Sequence, residues 1–111
     1  MANKFGAKKT VYNGITFDSK KEAQYCAKLD ILKKSTHKEN RVFDYELQVR
    51  YDIIVNDKKI GFYKLDFMVQ YADGKIRYID IKGCKKGAGY QLFRLKKKLV
   101  EALYNIKIEE L

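Results

Sequence analysis

Three charged residues in the second half of the chain have the types and the spacing of a metal-dependent hydrolytic site. Asp66 lies in the segment IGFYKLDFMVQY, and Asp80 and Lys82 alternate in the next segment, KIRYIDIK. Mg²⁺ prefers carboxylate oxygens and keeps several of its waters, so two aspartates and a backbone carbonyl suit it. An ammonium group nearby can reach a metal-bound water or a phosphate oxygen. The residue types therefore indicate a magnesium site flanked by a lysine.

The two segments form a predicted hairpin whose strands can be aligned by counting from the turn. Residues 72–74 are predicted to form a short loop, which pairs Tyr71 with Lys75. Counting back from this pair places Asp66 directly opposite Asp80, and strand alternation puts the lysine on the same face. Carboxylates opposed at about 5 Å across a sheet repel each other, and a divalent cation removes that repulsion. For the hairpin alone, a solvated face with an ordinary Asp–Lys ion pair stays an open alternative.

Glu22 adds a third carboxylate near the start of the first predicted helix. Ser19 and Glu22 fit the Ser-x-x-Glu capping box, and this cap by itself explains the glutamate. Glu22 also shares a helix face with Cys26 and Leu29, which has to pack on the sheet. An acid on that face is costly unless something pairs with it, and the two aspartates supply such a reason.

Hydrophobic periodicity and turn residues predict an α/β fold. A tight turn at residues 12–15 precedes the first helix, and the first long strand is expected to be bent or bulged near its middle. The predicted elements are helix 19–35, strands 41–55, 60–71 and 75–82, helix 90–104 and strand 106–108. This helix, three strands, helix, strand order predicts a mixed sheet flanked by helices. We expect one domain over residues 1–111, of which residues 1–10 form a mobile basic arm.

The charge balance narrows the class of partner. The chain has 24 Lys and Arg against 14 Asp and Glu, which gives a net charge of +10 and a pI near 9.5. A small protein this basic usually meets a polyanion, most often nucleic acid. No apolar run reaches the roughly 20 residues of a membrane span, so no membrane partner is expected. We expect the protein to act in the cytoplasm.

The ordered set of charged residues resembles that of a known superfamily. Glu22 on the first helix, then Asp66, then Asp80-Ile81-Lys82 on the adjacent strand, resembles the PD-(D/E)XK nuclease superfamily. The segments FDSKKE at residues 17–22 and ELQ at residues 46–48 add to this likeness. The pattern is similar in particular to short phage-type endonucleases, some of which resolve branched DNA as Holliday junction resolvases do. The resemblance implies a restriction-endonuclease-like core.

The resemblance also implies a role for each residue. Asp66 and Asp80 would bind Mg²⁺, with Mn²⁺ as a substitute, helped by the Ile81 carbonyl. Glu22 would complete or orient the metal shell, and Lys82 would position the attacking water and stabilise charge on the phosphate. The implied activity is metal-dependent endonucleolytic hydrolysis of DNA phosphodiester bonds.

The remaining basic residues predict how nucleic acid is held. Residues in the glycine-rich loop and on the second helix could contact the phosphates flanking the cleaved one. These residues are Lys85, Lys86, Arg94, Lys97 and Lys98. A homodimer is expected because cutting both strands of a duplex or a symmetric junction needs two active sites. Two alternatives stay open: a non-catalytic nucleic-acid-binding module that keeps the nuclease fold, and an interaction protein that binds an acidic partner.

Overall fold

The structure, a computed structural model, describes residues 9–82 and 86–111. The bounds of its elements are β1 Thr10–Tyr12, β2 Ile15–Phe17, α1 Lys20–Leu32, β3 Val42–Val55, β4 Lys58–Tyr71, β5 Ile76–Asp80, α2 Ala88–Tyr104 and β6 Ile108–Glu110. β1 and β2 form a 2-stranded sheet, and the other strands form a 4-stranded sheet in the order β3-β4-β5-β6. β5 and β6 are parallel, whereas β1 and β2 are antiparallel. The predicted α/β class with a mixed sheet is confirmed.

The contacts between residues divide the chain into two compact units. The first unit comprises the described residues up to Tyr45 together with Gln70–Lys75. The second comprises Glu46–Val69 and the described residues from Ile76 to Leu111.

A short hairpin opens the first unit. Asn13 and Gly14 both have positive φ, 52° and 79°, as a two-residue turn between twisted strands requires. The hairpin pairs Thr10 with Phe17. The predicted tight turn is therefore confirmed, but strands of three residues are too short to show an alternating pattern and were not predicted. The predicted mobile arm of residues 1–10 extends too far, because Thr10 already belongs to β1. Residues 1–8 lie outside the described part of the chain.

Helix α1 begins where the capping pattern places it. Ser19 is the N-cap, and its Oγ accepts the Glu22 N–H at 3.1 Å. The helix ends at Leu32, three residues before the predicted end, because the N–H groups of Lys34 and Ser35 bond only three residues back and tighten the last turn. Its buried residues are Glu22, Ala23, Cys26 and Leu29.

The longest strands, β3 and β4, are joined by a tight turn. Asn56 and Asp57 have φ of 50° and 64°, so β4 begins at Lys58, two residues before the predicted start. Gln48 has a φ of 53° in the interior of β3. This left-handed residue interrupts the regular strand and confirms the bend predicted near its middle.

The turn between β4 and β5 closes as the counting predicted. The Tyr71 N–H donates to the Lys75 carbonyl at 2.8 Å, and Gly74 has a φ of 93°. Regular strand geometry in β5 ends at Asp80, two residues before the predicted end of this strand.

The last strand is shifted from its predicted place. Asn105 adopts a left-handed conformation with φ 54° and caps α2, and the Ile106 N–H donates to the Glu101 carbonyl at 3.3 Å. The prediction of a strand at 106–108 is therefore wrong by two residues, because the helix cap still occupies its start. β6 instead places Glu110 beside Asp80 as its Cα partner.

The core of the second unit lies between its strands and α2. Its central buried residues are Ile53, Tyr63, Leu65, Val100 and Ile108. Three leucines that repeat at helical spacing along α2 form an apolar stripe that stays largely in solvent, since Leu92, Leu95 and Leu103 are 55%, 57% and 45% exposed. Neither helix of the described ranges is long and apolar enough to cross a membrane.

Candidate functional site

Two aspartates on adjacent strands each accept a backbone N–H from the facing segment of chain. The Asp66 N–H donates to Asp80 Oδ1 at 2.9 Å, and the Ile81 N–H donates to Asp66 Oδ2 at 2.9 Å. These two carboxylates accept hydrogen bonds from the amide N–H groups at the point where β5 ends. Both amides are therefore hydrogen-bonded without a carbonyl from a neighbouring strand. The structure therefore brings both predicted metal-binding side chains together, beside the backbone of Ile81.

The carboxyl group of Asp80 is the most deeply buried charge of this arrangement. Asp80 is 2% exposed, and its Oδ2 is buried without a hydrogen-bond partner among the described residues. Burial raises the pKa of Asp80 to about 6, against the opposing effects of the Asp66 amide and the Lys82 ammonium. A buried carboxylate oxygen without a partner is costly, and a hard cation or a proton relieves that cost. The arrangement therefore fits a divalent cation.

The number of side chains that could hold this cation is small. Within residues 9–82 and 86–111, no group of three or more His, Cys, Asp or Glu is arranged to hold a metal ion. Mg²⁺ keeps several of its waters, so a pair of carboxylates and a carbonyl is a sufficient protein contribution. Asp66, Asp80 and the Ile81 carbonyl would be those ligands.

Gln48 is a neighbour of the aspartates that was not among the predicted site residues. Its Nε2 donates to Asp66 Oδ1 at 3.3 Å. The left-handed backbone of Gln48 costs on the order of 1–3 kcal/mol in a residue other than glycine, and such strain clusters at functional sites. The ELQ segment and the predicted bend were the available signals, but neither shows which side chain reaches Asp66.

The ammonium group of Lys82 is held by an aromatic ring of α2. Lys82 Nζ lies 3.7 Å from the centroid of the Phe93 ring. Phe93 packs in turn against the rings of Tyr63 and Tyr90, at centroid distances of 5.9 and 5.8 Å. Since Lys82 also lowers the pKa of Asp80, its charge acts on the aspartate pair. This placement agrees with the predicted position of the lysine beside the aspartates.

A second polar group borders Asp80 from β6 and was not predicted. Glu110 Oε1 accepts the Tyr90 hydroxyl at 2.9 Å, and Glu110 Oε2 pairs with Lys97 Nζ at 3.1 Å. The pair is mostly buried, with Lys97 19% and Glu110 16% exposed. Glu110 was not predicted because the last strand was expected two residues too early. Only the observed register of β6 places Glu110 next to Asp80.

Glu22 lies in the first unit, on the buried side of α1. It is 7% exposed, as the helix-face argument predicted, and its own N–H is bonded by the Ser19 cap. Asp66 and Asp80 belong to the second unit. The assignment of Glu22 to their metal shell stays a prediction from the sequence.

The predicted nucleic-acid contacts differ in their surroundings. Lys86, Arg94 and Lys98 are exposed, and the Arg94 guanidinium lies 6.0 Å from the ring centroid of Tyr90. Lys97 is instead mostly buried in its ion pair with Glu110. Lys85 lies outside the described residues. Lys86, Arg94 and Lys98 therefore lie on the surface, where phosphates can approach them, while Lys97 belongs to the cluster beside Asp80.

Comparison with known protein families identifies a match over most of the chain. A family described as "Protein of unknown function (DUF1064)" matches residues 2–109. No curated protein and no solved structure matches the chain. The comparisons therefore assign no activity, and the function has to be argued from the residues of the chain itself.

Proposed function

This chain belongs to the DUF1064 family, and from its own residues we propose that it is a metal-dependent endonuclease that hydrolyses DNA phosphodiester bonds. The observation that carries the proposal is the buried Oδ2 of Asp80, which has no hydrogen-bond partner in the described part of the chain. It lies next to a second carboxylate, Asp66, and within the electrostatic reach of Lys82. A buried carboxylate with one oxygen left unbonded among the described residues, a neighbouring carboxylate and a lysine suit hydrolysis of a phosphate ester.

The roles of the residues follow from their surroundings. Asp66 and Asp80 would hold Mg²⁺, or Mn²⁺ in its place, which polarises a phosphate and lowers the pKa of a bound water. The Asp66 and Ile81 amides keep the two carboxylates in position before any ligand arrives. Lys82, oriented on the Phe93 ring, binds a phosphate oxygen and stabilises the negative charge that develops during hydrolysis.

Charge and sequence resemblance support DNA as the substrate. The net charge of +10 favours a polyanion, and exposed cations on and before α2 can hold the phosphates on either side of the cleaved bond. The likeness of the charged set to that of PD-(D/E)XK nucleases supports an endonuclease, with branched DNA as one substrate. In this proposal the enzyme works in the cytoplasm as a homodimer, since two sites are needed to cut both strands.

A cleavage panel tests the proposal directly. Purified protein is incubated with duplex, forked and four-way DNA in Mg²⁺, Mn²⁺ or EDTA, and products are resolved on denaturing gels. We expect metal-dependent cleavage by the wild type and a loss of at least about 100-fold in Asp80→Asn, the size typical of removing a key electrostatic group. Asp57→Asn, in the turn after β3, removes the same charge from an exposed position and should cleave normally.

Each result of the panel supports or rejects a specific activity. Equal cleavage by wild type and Asp80→Asn would reject this centre. Salt-sensitive DNA binding without any cleavage would reject the endonuclease and favour the non-catalytic binding module. Absence of salt-sensitive DNA binding would favour a protein that binds an acidic partner.

A further inference from the structure

An ion pair from α2 and β6 lies beside the aspartates, and it joins Lys97, a predicted phosphate contact, to Glu110, which has no predicted role. Parallel pairing makes Glu110 the Cα partner of Asp80, so the two side chains project from neighbouring positions on the same face of the sheet. Glu110 binds Lys97 at 3.1 Å. Both partners are more than four-fifths buried, so their charges are poorly screened by solvent.

A tyrosine fixes the geometry of this pair. The Tyr90 hydroxyl donates to Glu110 Oε1 at 2.9 Å, so each carboxylate oxygen of Glu110 has its own donor. Lys97 pairs with a carboxylate that the register of β6 places beside Asp80. Replacing either partner alone would therefore leave an uncompensated charge next to the aspartates.

We propose that Glu110 is a positioning residue that holds the Lys97 ammonium next to Asp80, where Lys97 binds a non-bridging oxygen of the phosphodiester. The inference rests on the proposed function and adds a second lysine to the site. Lys82 would approach the phosphate from β5, and Lys97 from α2. The carboxylate of Glu110 also cancels the charge of Lys97, so the extra lysine does not repel a divalent cation from Asp66 and Asp80.

The neighbouring residue in β6 supplies a matched control. Glu109 alternates with Glu110 along the strand, and it forms a separate ion pair with Arg77 at 2.6 Å. Glu109→Gln thus removes the same charge one position away. Lys107→Met removes an exposed lysine from the segment before β6 and is the control for Lys97→Met.

Mn²⁺ affinity provides a readout that does not depend on catalysis. Calorimetry on metal-free protein compares the wild type with Glu110→Gln, Lys97→Met and the double variant. We expect Glu110→Gln to weaken Mn²⁺ binding about tenfold, since it leaves an unpaired cation near Asp80, and Lys97→Met to strengthen it. The double variant should return to wild-type affinity. If Glu110 were itself a metal ligand, the double variant would stay as weak as Glu110→Gln.

DNA binding and cleavage test the contact with phosphate. In Ca²⁺, Lys97→Met should lower the slope of log affinity against log salt by about one phosphate contact, and Lys107→Met should not. In Mg²⁺, both Glu110→Gln and Lys97→Met should lower kcat more than they change KM, whereas Glu109→Gln should leave both unchanged. Circular dichroism melts check that the variants fold.

The outcomes separate this inference from the proposed function. A wild type that binds Mn²⁺ with the expected pattern across the variants, but never cuts, would reject the endonuclease and leave the charge pair standing. A wild type that cuts, with Glu110→Gln indistinguishable from Glu109→Gln in Mn²⁺ affinity and kcat, would overturn the inference alone. A wild type that binds no Mn²⁺ would overturn both.

Discussion

The buried position of the Asp80 carboxyl group lowers the stability of the fold. Its buried Oδ2 lacks a partner among the described residues, and burial raises the pKa of its carboxyl group to about 6. A buried carboxylate left without a partner destabilises the fold, unless it binds a cation or a proton. Sites that bind ligands often carry such local costs.

Asp80→Asn should therefore remove a metal response without unfolding the protein. In EDTA at neutral pH, we expect the variant to melt at or above the wild-type temperature, because it has no buried charge. Excess Mg²⁺ should raise the melting temperature of the wild type and leave that of the variant unchanged, since a ligand stabilises only a state it binds. Differential scanning calorimetry measures both. A variant that melts far below the wild type in EDTA would assign Asp80 a purely structural role.

Lys82 should affect rate rather than metal binding. Its ammonium rests on the Phe93 ring and is not a metal ligand. We expect Lys82→Ala to lower kcat about 100-fold or more while Mn²⁺ affinity, measured by calorimetry, changes little or rises. Lys64→Ala, an exposed lysine two residues before Asp66, is the matched control and should cleave at the wild-type rate. Loss of Mn²⁺ binding with cleavage retained would contradict the proposed roles.

At the scale of elements, the carboxylate of Asp30 links α1 to β1 and to the part of β3 that belongs to the first unit. Asp30 accepts hydrogen bonds of 2.6 Å from Tyr12 of β1 and from Tyr45 of β3. Burial raises the pKa of Asp30, but the two phenol hydrogen bonds and the nearby charges of Lys33 and Lys34 together lower it by more, so it lies below the usual 3.8. The ionised carboxylate therefore stabilises this part of the fold.

The stability due to Asp30 should depend on pH in a defined direction. A lowered folded-state pKa gives stabilisation that is complete above the unfolded value of about 3.9 and is lost as pH falls through the folded value. We expect Asp30→Asn to lower the free energy of unfolding by roughly 1–3 kcal/mol at pH 7. The difference from wild type should shrink below about pH 4. Urea titrations at pH 7, 5 and 3 test this, and a difference that grows on acidification would contradict it.

The start of α1 allows the cap and the proposed catalytic role of Glu22 to be separated. The observed cap bond uses the backbone N–H of Glu22, so Glu22→Gln keeps it. Gln also serves at this position of a capping box. If Glu22 completes the metal shell, Glu22→Gln should retain the wild-type melting temperature and lose most of its cleavage activity. Ser19→Ala is the complementary variant, which should lower stability by about 1 kcal/mol. Unchanged cleavage by Glu22→Gln would restrict Glu22 to the cap.

At the scale of the whole molecule, the exposed stripe on α2 bears on the proposed homodimer. Leu92, Leu95 and Leu99 repeat at the spacing of a helix–helix seam. Leu92 and Leu95 are more than half exposed, whereas Leu99 packs partly against the core. A two-fold axis brings the same stripe of two copies together, which suits an enzyme that cuts two strands.

Leu95→Glu should therefore weaken self-association. Light scattering of the free protein and of its complex with a four-way junction should show a dimer for the wild type and a monomer for the variant. The variant should make single nicks where the wild type makes paired cuts. Ile31→Glu, at a highly exposed position of α1, is the control for adding an acid to an exposed apolar position. A wild type that is monomeric in both states would leave a nicking endonuclease as the better description.

Local patterns in the sequence were sufficient for most of the elements and for the aspartate pair. The Ser19 cap, the Asn56–Asp57 turn and the Gly74 loop each depend on residues within a few positions, so their types are legible in the sequence. Since the loop sets the register of the hairpin, counting along it was enough to bring Asp66 and Asp80 together.

Features that depend on distant residues were decided only by the tertiary structure. The register of β6 follows from the end of α2 and its parallel pairing, so Glu110 could not be placed next to Asp80 by counting. The left-handed backbone of Gln48 aims its side chain at Asp66, and no local pattern encodes that direction. The burial of Val100 rather than Leu95 depends on how α2 lies on its strands. Packing selects among faces and registers that the sequence leaves nearly equivalent.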